Sequence, residues 1–278
     1  MRLATVRLGD PLSSTRAARL ERDSLVLLPA ASVSELLARS DWRAVAAEDG
    51  DRVAPDESTF APVVPRPPKI VCLGLNYLRH IREMNSEPPA FPTLFAKYAG
   101  ALIGARDEIQ MPAVARQMDW EVELGVVIGR PARLVSPADA LDYVAGYTVV
   151  NDVTARDWQS RTTQFLQGKT FEHTTPVGPY LVTPDELPRG GRDLEVRCEV
   201  DGQLMQRDNT TDLIFDVAHT IAYISQILTL EPGDLISMGT PDGVGAGRDP
   251  EVWLQPGNSV RTVVEGVGGL LNVCSGWT

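Results

Sequence analysis

Glu121 and Glu123 stand one residue apart in DWEVELGVVIG, a run whose pattern predicts a β-strand. Side chains alternate faces along a strand, so both carboxylates point the same way. On an open strand face such a pair is simply solvated. Here Val122, Leu124, Val126 and Val127 make the strand at least partly buried. Two like charges on a buried face repel and are costly to desolvate unless a cation lies between them. A third carboxylate, Asp152, closes the strand-like run GYTVVND, where a loop can carry it over a site. The chain has only three histidines, His80, His173 and His219, so a zinc centre built on imidazole or thiolate is not expected. Three carboxylates with positions left for water suit Mg²⁺ or Mn²⁺.

Other residues add reactive groups. His80 and Glu83 lie three apart in GLNYLRHIREMN and share a face if the segment is a short helix. A carboxylate beside an imidazole fixes its tautomer and lets it take a proton from water, although the same spacing also occurs as an incidental surface pair. The following residues, rich in Asn, Ser and Pro, predict a mobile, lid-like loop. Lys97 in LFAKYAG and Lys169 in LQGKTFEH either snorkel or serve a site. Arg156 and Gln159 follow Asp152 by four and seven residues, and on a helical turn all three would share a face as a clamp for a substrate carboxylate. Thr240 in SMGTPDGVG follows a strand end and can hold an anionic oxygen or form an ordinary turn. His173 and His219 read as structural. The segment GTPDGVGAG lacks the lysine and following helix of a phosphate loop, so it reads as a glycine-rich turn.

These residues need strands to place them. KIVCLGL, EVELGVVIG, YVAGYTVVND, LEVRCEVDG, DLISMG and VRTVVEGV predict a strand-rich main body, with Asp-Gly in EVRCEVDGQLMQ marking a hairpin. TDLIFDVAHTIAYISQIL predicts one clear helix. Strands without alternating helices argue against a doubly wound sheet. Upstream, LATVRL and LVLLPA predict two short strands, and SVSELLARSDWRAVAAE predicts one helix capped by serine. The proline-rich stretch ending near Pro68 predicts a linker. The expected division is a small N-terminal α/β domain with linker over 1–65 and a catalytic domain over 66–278.

The chain of 278 residues carries a formal charge of −11, which disfavours nucleic acid and anionic membrane surfaces as partners. No stretch is long and apolar enough to span a bilayer, and the first residues show no secretory h-region. Cys72, Cys198 and Cys274 read as buried thiols of a reducing compartment, so a cytoplasmic location is expected.

Taken in order, GLNYLRHIREMN, LFAKYAG, DWEVELGVVIG, GYTVVNDVTARDWQ, QGKTFEHTTPVGP and LEPGDLISMGTPDGVG resemble the fumarylacetoacetate hydrolase family. The resemblance covers roughly residues 69–272. It implies a mixed α/β, strand-rich fold, with strands rolled into a barrel-like β-sandwich, and a homodimer. It also implies Mg²⁺ or Mn²⁺ held by Glu121, Glu123 and Asp152, catalysis by His80, Glu83 and Lys169, and substrate binding by Lys97, Arg156, Gln159 and Thr240. Fumarylacetoacetases proper carry a fourth metal carboxylate shortly before the catalytic histidine, whereas Val71-Cys72-Leu73-Gly74-Leu75 offers none. The chain therefore looks like the three-carboxylate members. That group includes acylpyruvate hydrolases, oxaloacetate decarboxylases and isomerases of aromatic-degradation intermediates. The expected activity is cleavage of a C–C bond in a 2,4-dioxo acid, with the cation as electron sink for the enolate and pyruvate as product. Oxaloacetate decarboxylation, isomerisation or decarboxylation of a 2-hydroxymuconate-type intermediate, and a non-catalytic ligand-binding role remain alternatives.

Overall fold

The computed structural model describes residues 1–9, 14–56 and 59–276. Among them, eleven strands form one mixed sheet. Its centre is the antiparallel pair Val122–Ile128 and Val144–Asn151, registered so that Val122 faces Asn151 and Glu123 faces Val150. Every residue of both strands is buried, which explains their near-continuous β-branched and apolar sequence. Leu235–Ser237 lies beside Val122–Ile128, and next come Ile70–Gly74 and then Thr93–Lys97. On the other side Thr175–Val182 pairs with Val144–Asn151.

A second sheet of five strands packs on the first. Val196, Cys198, Val260 and Leu270 of this layer share one core with Leu124, Val126, Tyr147 and Val149 of the large sheet. The two layers make the strand-rich, mixed α/β architecture expected from the sequence. The hairpin is where Asp-Gly places it: Val200 pairs with Gln203, and Asp201 and Gly202 both have positive φ (50° and 76°), the pair of angles that a tight two-residue turn requires. All three cysteines are free and buried. No helix among the described residues is long and apolar enough to cross a membrane.

The N-terminal sixty residues differ from expectation. Arg2–Leu8 pairs antiparallel with Thr175–Val182, Ser14–Glu21 pairs with it in turn, and Ser24–Leu27 and Arg52–Val53 follow. The segment thus continues the large sheet, and its buried residues, Leu28, Val33, Leu36 and Trp42 among them, share one cluster with main-body residues. Leu3 and Ala17 pack with Leu181 and Val127 of the main body. The strand Ser14–Glu21 was not expected, because its arginines hide the alternation. The proline-rich stretch is no free linker: Phe60, Ala61, Val63 and Val64 are buried, Phe60 bridges to Val6, and Thr5 Oγ1 donates to the Val63 carbonyl at 2.8 Å. The expected single helix is two short ones, Val33–Leu37 and Trp42–Ala46. Ser32 does cap the first through the Glu35 N–H at 3.2 Å. Ser40 and Asp41 interrupt the run, as short polar side chains do when they compete for backbone hydrogen bonds. The long helix begins later than expected, at Val217, capped by Asp216, and ends at Ile227.

Two short helices complete the surroundings of the carboxylates. Arg156–Gln159 and Leu166–Lys169 lie against each other, with the extended pair Thr154–Ala155 beside them. Close approach here depends on Gly168, where a Cβ would fall 2.5 Å from both the Ala155 carbonyl oxygen and the Gln159 nitrogen. Gly168→Ala is therefore expected to push the Lys169 helix away at a cost of about 1–3 kcal/mol. Thermal denaturation checks this, and a melting temperature equal to that of the native chain would contradict the packing described.

Candidate active site and metal centre

Glu121, Glu123 and Asp152 are all buried, and one carboxylate oxygen of each lies within 4.8 Å of the others. The central strand pair creates this meeting. Asp152 directly follows Val144–Asn151 and its N–H donates to the Glu121 carbonyl at 2.9 Å, while the Glu121 N–H donates to Asn151 Oδ1 at 3.0 Å. The ladder begins at Val122, so Glu121 sits at its entrance and is fixed by these two bonds.

Three cations from separate segments neutralise the cluster. Lys169 Nζ lies 2.6 Å from Glu121 Oε2 and 2.9 Å from Asp152 Oδ2. Lys97 Nζ lies 2.5 Å from Asp152 Oδ1. Arg156 reaches Glu121 Oε1 at 2.6 Å and Asp119 Oδ2 at 2.9 Å. Burial pushes the Glu121 carboxyl up, but Lys169 and Arg156 outweigh it and hold the group at about 2. Glu123 lacks a cation of its own. Burial, with Asp152 and Glu121 beside it, pushes it up to about 8 despite hydrogen bonds from Ser237 Oγ at 2.5 Å and the Gly239 N–H at 2.8 Å. Burial works against the Lys169 ammonium, yet Asp152 and Glu121 raise it above its ordinary value. With Asp119, four carboxylates face three cations, so the proton that Glu123 retains brings the cluster to neutral, and −1 is reached only when Glu123 ionises.

Through Glu121, with Glu123 and Asp152 lying behind the wall, the cluster borders a cavity of about 330 Å³ lined by His80, Glu121, Arg156, Gln159, Lys169 and Thr240 among polar groups and by Leu73, Leu75, Met84, Phe95 and Phe165 among apolar ones. His80 and Glu83 share the short helix Leu78–Glu83, with His80 Nδ1 2.9 Å from Glu83 Oε2. The sequence-read groups thus converge on one place, with two adjustments. Lys97 does not line the cavity, because its ammonium is buried behind Asp152. Asp152 does not share a helical face with Arg156 and Gln159, since Thr154–Ala155 is extended and pairs with Met118–Asp119; Arg156 instead donates to Gln159 Oε1 at 3.1 Å. Thr240 lines the cavity, and its hydroxyl donates to the Val122 carbonyl at 3.0 Å. His173 and His219 lie outside the lining.

Two buried residues escaped the sequence reading. Asp119 is fully buried and accepts from Gly245 N–H at 2.6 Å, Ala246 N–H at 3.1 Å and Arg156. Gln206 accepts from Val122 N–H at 3.0 Å and donates to Thr240 Oγ1 and the Pro241 carbonyl, each at 2.8 Å. A weak signal existed for Asp119, which sits two residues before Glu121; nothing in LMQRD marks Gln206.

An all-oxygen set this close, with one member held protonated by its neighbours, fits a divalent cation. Lys97→Met leaves Asp152 with one cation fewer and is expected to destabilise the metal-free chain by about 3 kcal/mol. Mn²⁺, which supplies positive charge to the same carboxylates, should restore part of that loss. Melting curves in EDTA and in Mn²⁺ check both statements, and equal Mn²⁺ shifts in a Glu121→Ala/Asp152→Ala double variant would contradict the assignment of the site.

Comparison with known proteins agrees with this geometry. The model of the family described as fumarylacetoacetate (FAA) hydrolase C-terminal matches residues 69–274. A mitochondrial oxaloacetate tautomerase of Bos taurus is 44% identical over 218 residues, covering 78% of this chain and 69% of its own. The crystal structure of a 5-carboxymethyl-2-hydroxymuconate delta-isomerase from Mycobacterium smegmatis superposes with a TM-score of 0.83 at 31% identity over the whole of both chains. Maleylpyruvate hydrolase from Sphingobium sp. SYK-6, solved with manganese(II) and pyruvate, superposes with a TM-score of 0.79 at 27% identity, again over the whole of both chains. With its cluster, its cavity and these relatives together, the chain belongs to the fumarylacetoacetate hydrolase family.

Proposed function

We propose that this chain is a divalent-cation-dependent hydrolase of short 2,4-dioxo acids of the acylpyruvate type. The observation that carries the reading is His80, on the wall of the cavity that also exposes Glu121, with Glu83 hydrogen-bonded to its Nδ1. An ionised carboxylate only accepts hydrogen bonds, so Glu83 places the ring proton on Nδ1 and leaves Nε2 with its lone pair. His80 then takes a proton from a water that adds to the C4 carbonyl. The C3–C4 bond breaks, its electron pair passes to C3 as the pyruvate enolate, and the imidazolium returns the proton to C3. The products are pyruvate and a carboxylic acid. Lys169 has three N–H donors, of which two go to Glu121 and Asp152, and the third serves a substrate oxygen. Gln159 accepts from Arg156, so its amide NH₂ is left to donate. A divalent cation held by Glu121, Glu123 and Asp152 would displace the Glu123 proton, polarise the 2-oxo group as a Lewis acid and leave the cluster at +1, the complement of one substrate carboxylate.

The apolar lining supports an acyl tail without a second charge. Among the described residues the lysine and arginine of the lining are Lys169 and Arg156, both paired with carboxylates. The second reading is keto–enol tautomerisation of oxaloacetate, the activity named for the bovine relative. Tautomerisation needs the same imidazole to move a proton at the carbon between two carbonyls, with no water. Beyond the subunit, we propose a homodimer, read out by light scattering.

The test presents short acylpyruvates and oxaloacetate with Mg²⁺ or Mn²⁺, following pyruvate release and loss of enol absorbance in parallel. Acylpyruvate turnover should vanish in EDTA and fall at least about 100-fold in His80→Ala. Accelerated oxaloacetate chemistry without acylpyruvate turnover selects the second reading, and inactivity towards both rejects the two together.

A further inference from the structure

We propose that the glycine-rich loop 243–247 is the template that sets the His80–Glu83 pair against the carboxylate cluster, and that Gly247 is the positioning residue that leaves room for it. The proposal rests on the reading of His80 as the proton carrier. The two oxygens of Glu83 have separate tasks: Oε2 meets His80 Nδ1, and Oε1 accepts from the Gly243 N–H at 2.9 Å. Gly247 stands directly behind this carboxylate. A Cβ on it would lie 2.4 Å from Glu83 Cδ and 2.5 Å from Oε1. The bare Gly247 backbone therefore defines where the carboxylate rests, and the carboxylate defines where the imidazole points.

The same loop grips the other half of the site. The Gly245 and Ala246 N–H groups donate to Asp119, Asp119 accepts from Arg156, and Arg156 reaches Glu121. Trp120 Nε1 anchors the loop by donating to the Gly243 carbonyl at 3.1 Å. Three consecutive or near-consecutive backbone donors thus lie between a carboxylate of the proton-carrying pair and one that leads to the cluster. The pair and the cluster come from elements far apart in sequence, and this loop gives them one reference. A displacement of about 1 Å between base and reacting atoms is enough to cost about 100-fold in rate.

The glycines differ in how a side chain would be received. At Gly243 a Cβ would strike the Met205 carbonyl oxygen at 2.1 Å, and at Gly245 that of Val252 at 1.9 Å, both backbone. At Gly247 the obstacle is the end of a flexible side chain, so Gly247→Ala folds and displaces Glu83 instead.

The experiment measures kcat, KM and Mn²⁺ affinity for Gly247→Ala, Glu83→Gln and their combination on the oxo-acid that the native chain turns over fastest. Expected is a fall in kcat of about tenfold or more for Gly247→Ala, with KM and Mn²⁺ affinity within about twofold of native. The double variant should be no slower than Glu83→Gln alone, because both changes act through one contact. Proton NMR supplies a readout independent of turnover: the His80 Nδ1–H signal, assigned by its loss in His80→Ala, should shift or vanish in Gly247→Ala. Trp120→Phe, which leaves Gly247 as it is and removes one of the two side-chain donors to the Gly243 carbonyl, the other being Arg248, gives a second route and should lower kcat by a smaller factor, again at constant KM. A native kcat in both variants, additive losses in the cycle, or an unmoved His80 signal overturns the proposal. Native turnover in His80→Ala would instead sink the reading of His80 as base, and the NMR comparison would still judge the loop.

Discussion

Carboxylates buried within reach of one another repel, and a fold that keeps them so must bring opposite charge from elsewhere in the chain. Here the supply comes from three places: the end of the strand Thr93–Lys97, the last residue of the helix Leu166–Lys169 and the first residue of the helix Arg156–Gln159. Each cation reaches at least one carboxylate at 2.5–2.9 Å. The arrangement neutralises Glu121 and Asp152 well and Glu123 poorly. That imbalance gives the cluster a specific appetite for positive charge at the Glu123 side, where the available partners are a serine hydroxyl and a backbone N–H. The central strand pair exists to hold this balance, since its register sets Glu121 against Asp152 before any side chain is considered.

Much of this was legible in the sequence where chemistry and pattern coincide. Glu121, Glu123 and Asp152 announce themselves because acids inside apolar runs are expensive to bury and so need a reason. The hairpin at Asp201-Gly202 was equally plain, since few residue pairs adopt two positive φ angles. His80 and Glu83 do share a short helix, as their spacing predicts, but spacing alone favoured an incidental surface pair and the family resemblance carried the catalytic expectation. The limits of that reading are also physical. Lys97 and Lys169 look alike in sequence, and only the packing of their elements decides that one ammonium faces the cavity and the other supports Asp152 from behind.

What escaped was the layer held by backbone groups. Asp119 and Gln206 bind main-chain N–H and C=O groups of segments distant in sequence, and such partners leave no mark on residue type. The glycine-rich turn was recognised as a turn, but its use depends on which carboxylates its N–H groups meet. The N-terminal segment escaped for a different reason. Its strand Ser14–Glu21 carries an alternation broken by arginines, and its partner Arg2–Leu8 borrows burial from Leu181 and its neighbours in the main body.

That borrowed burial has a consequence for association. The strand Thr175–Val182 is apolar and buried along most of its length, and its border is covered at one end by Leu102–Ile103 and at the other by Arg2 and Leu3. An unpaired border of that kind recruits strands from other molecules. On that side the N-terminal strands carry the border outward to Arg52–Val53, which is short, partly exposed and carries one arginine. Burial of Leu181 and Val182 and a short, charged outer border thus have one origin, the strands laid down before residue 54.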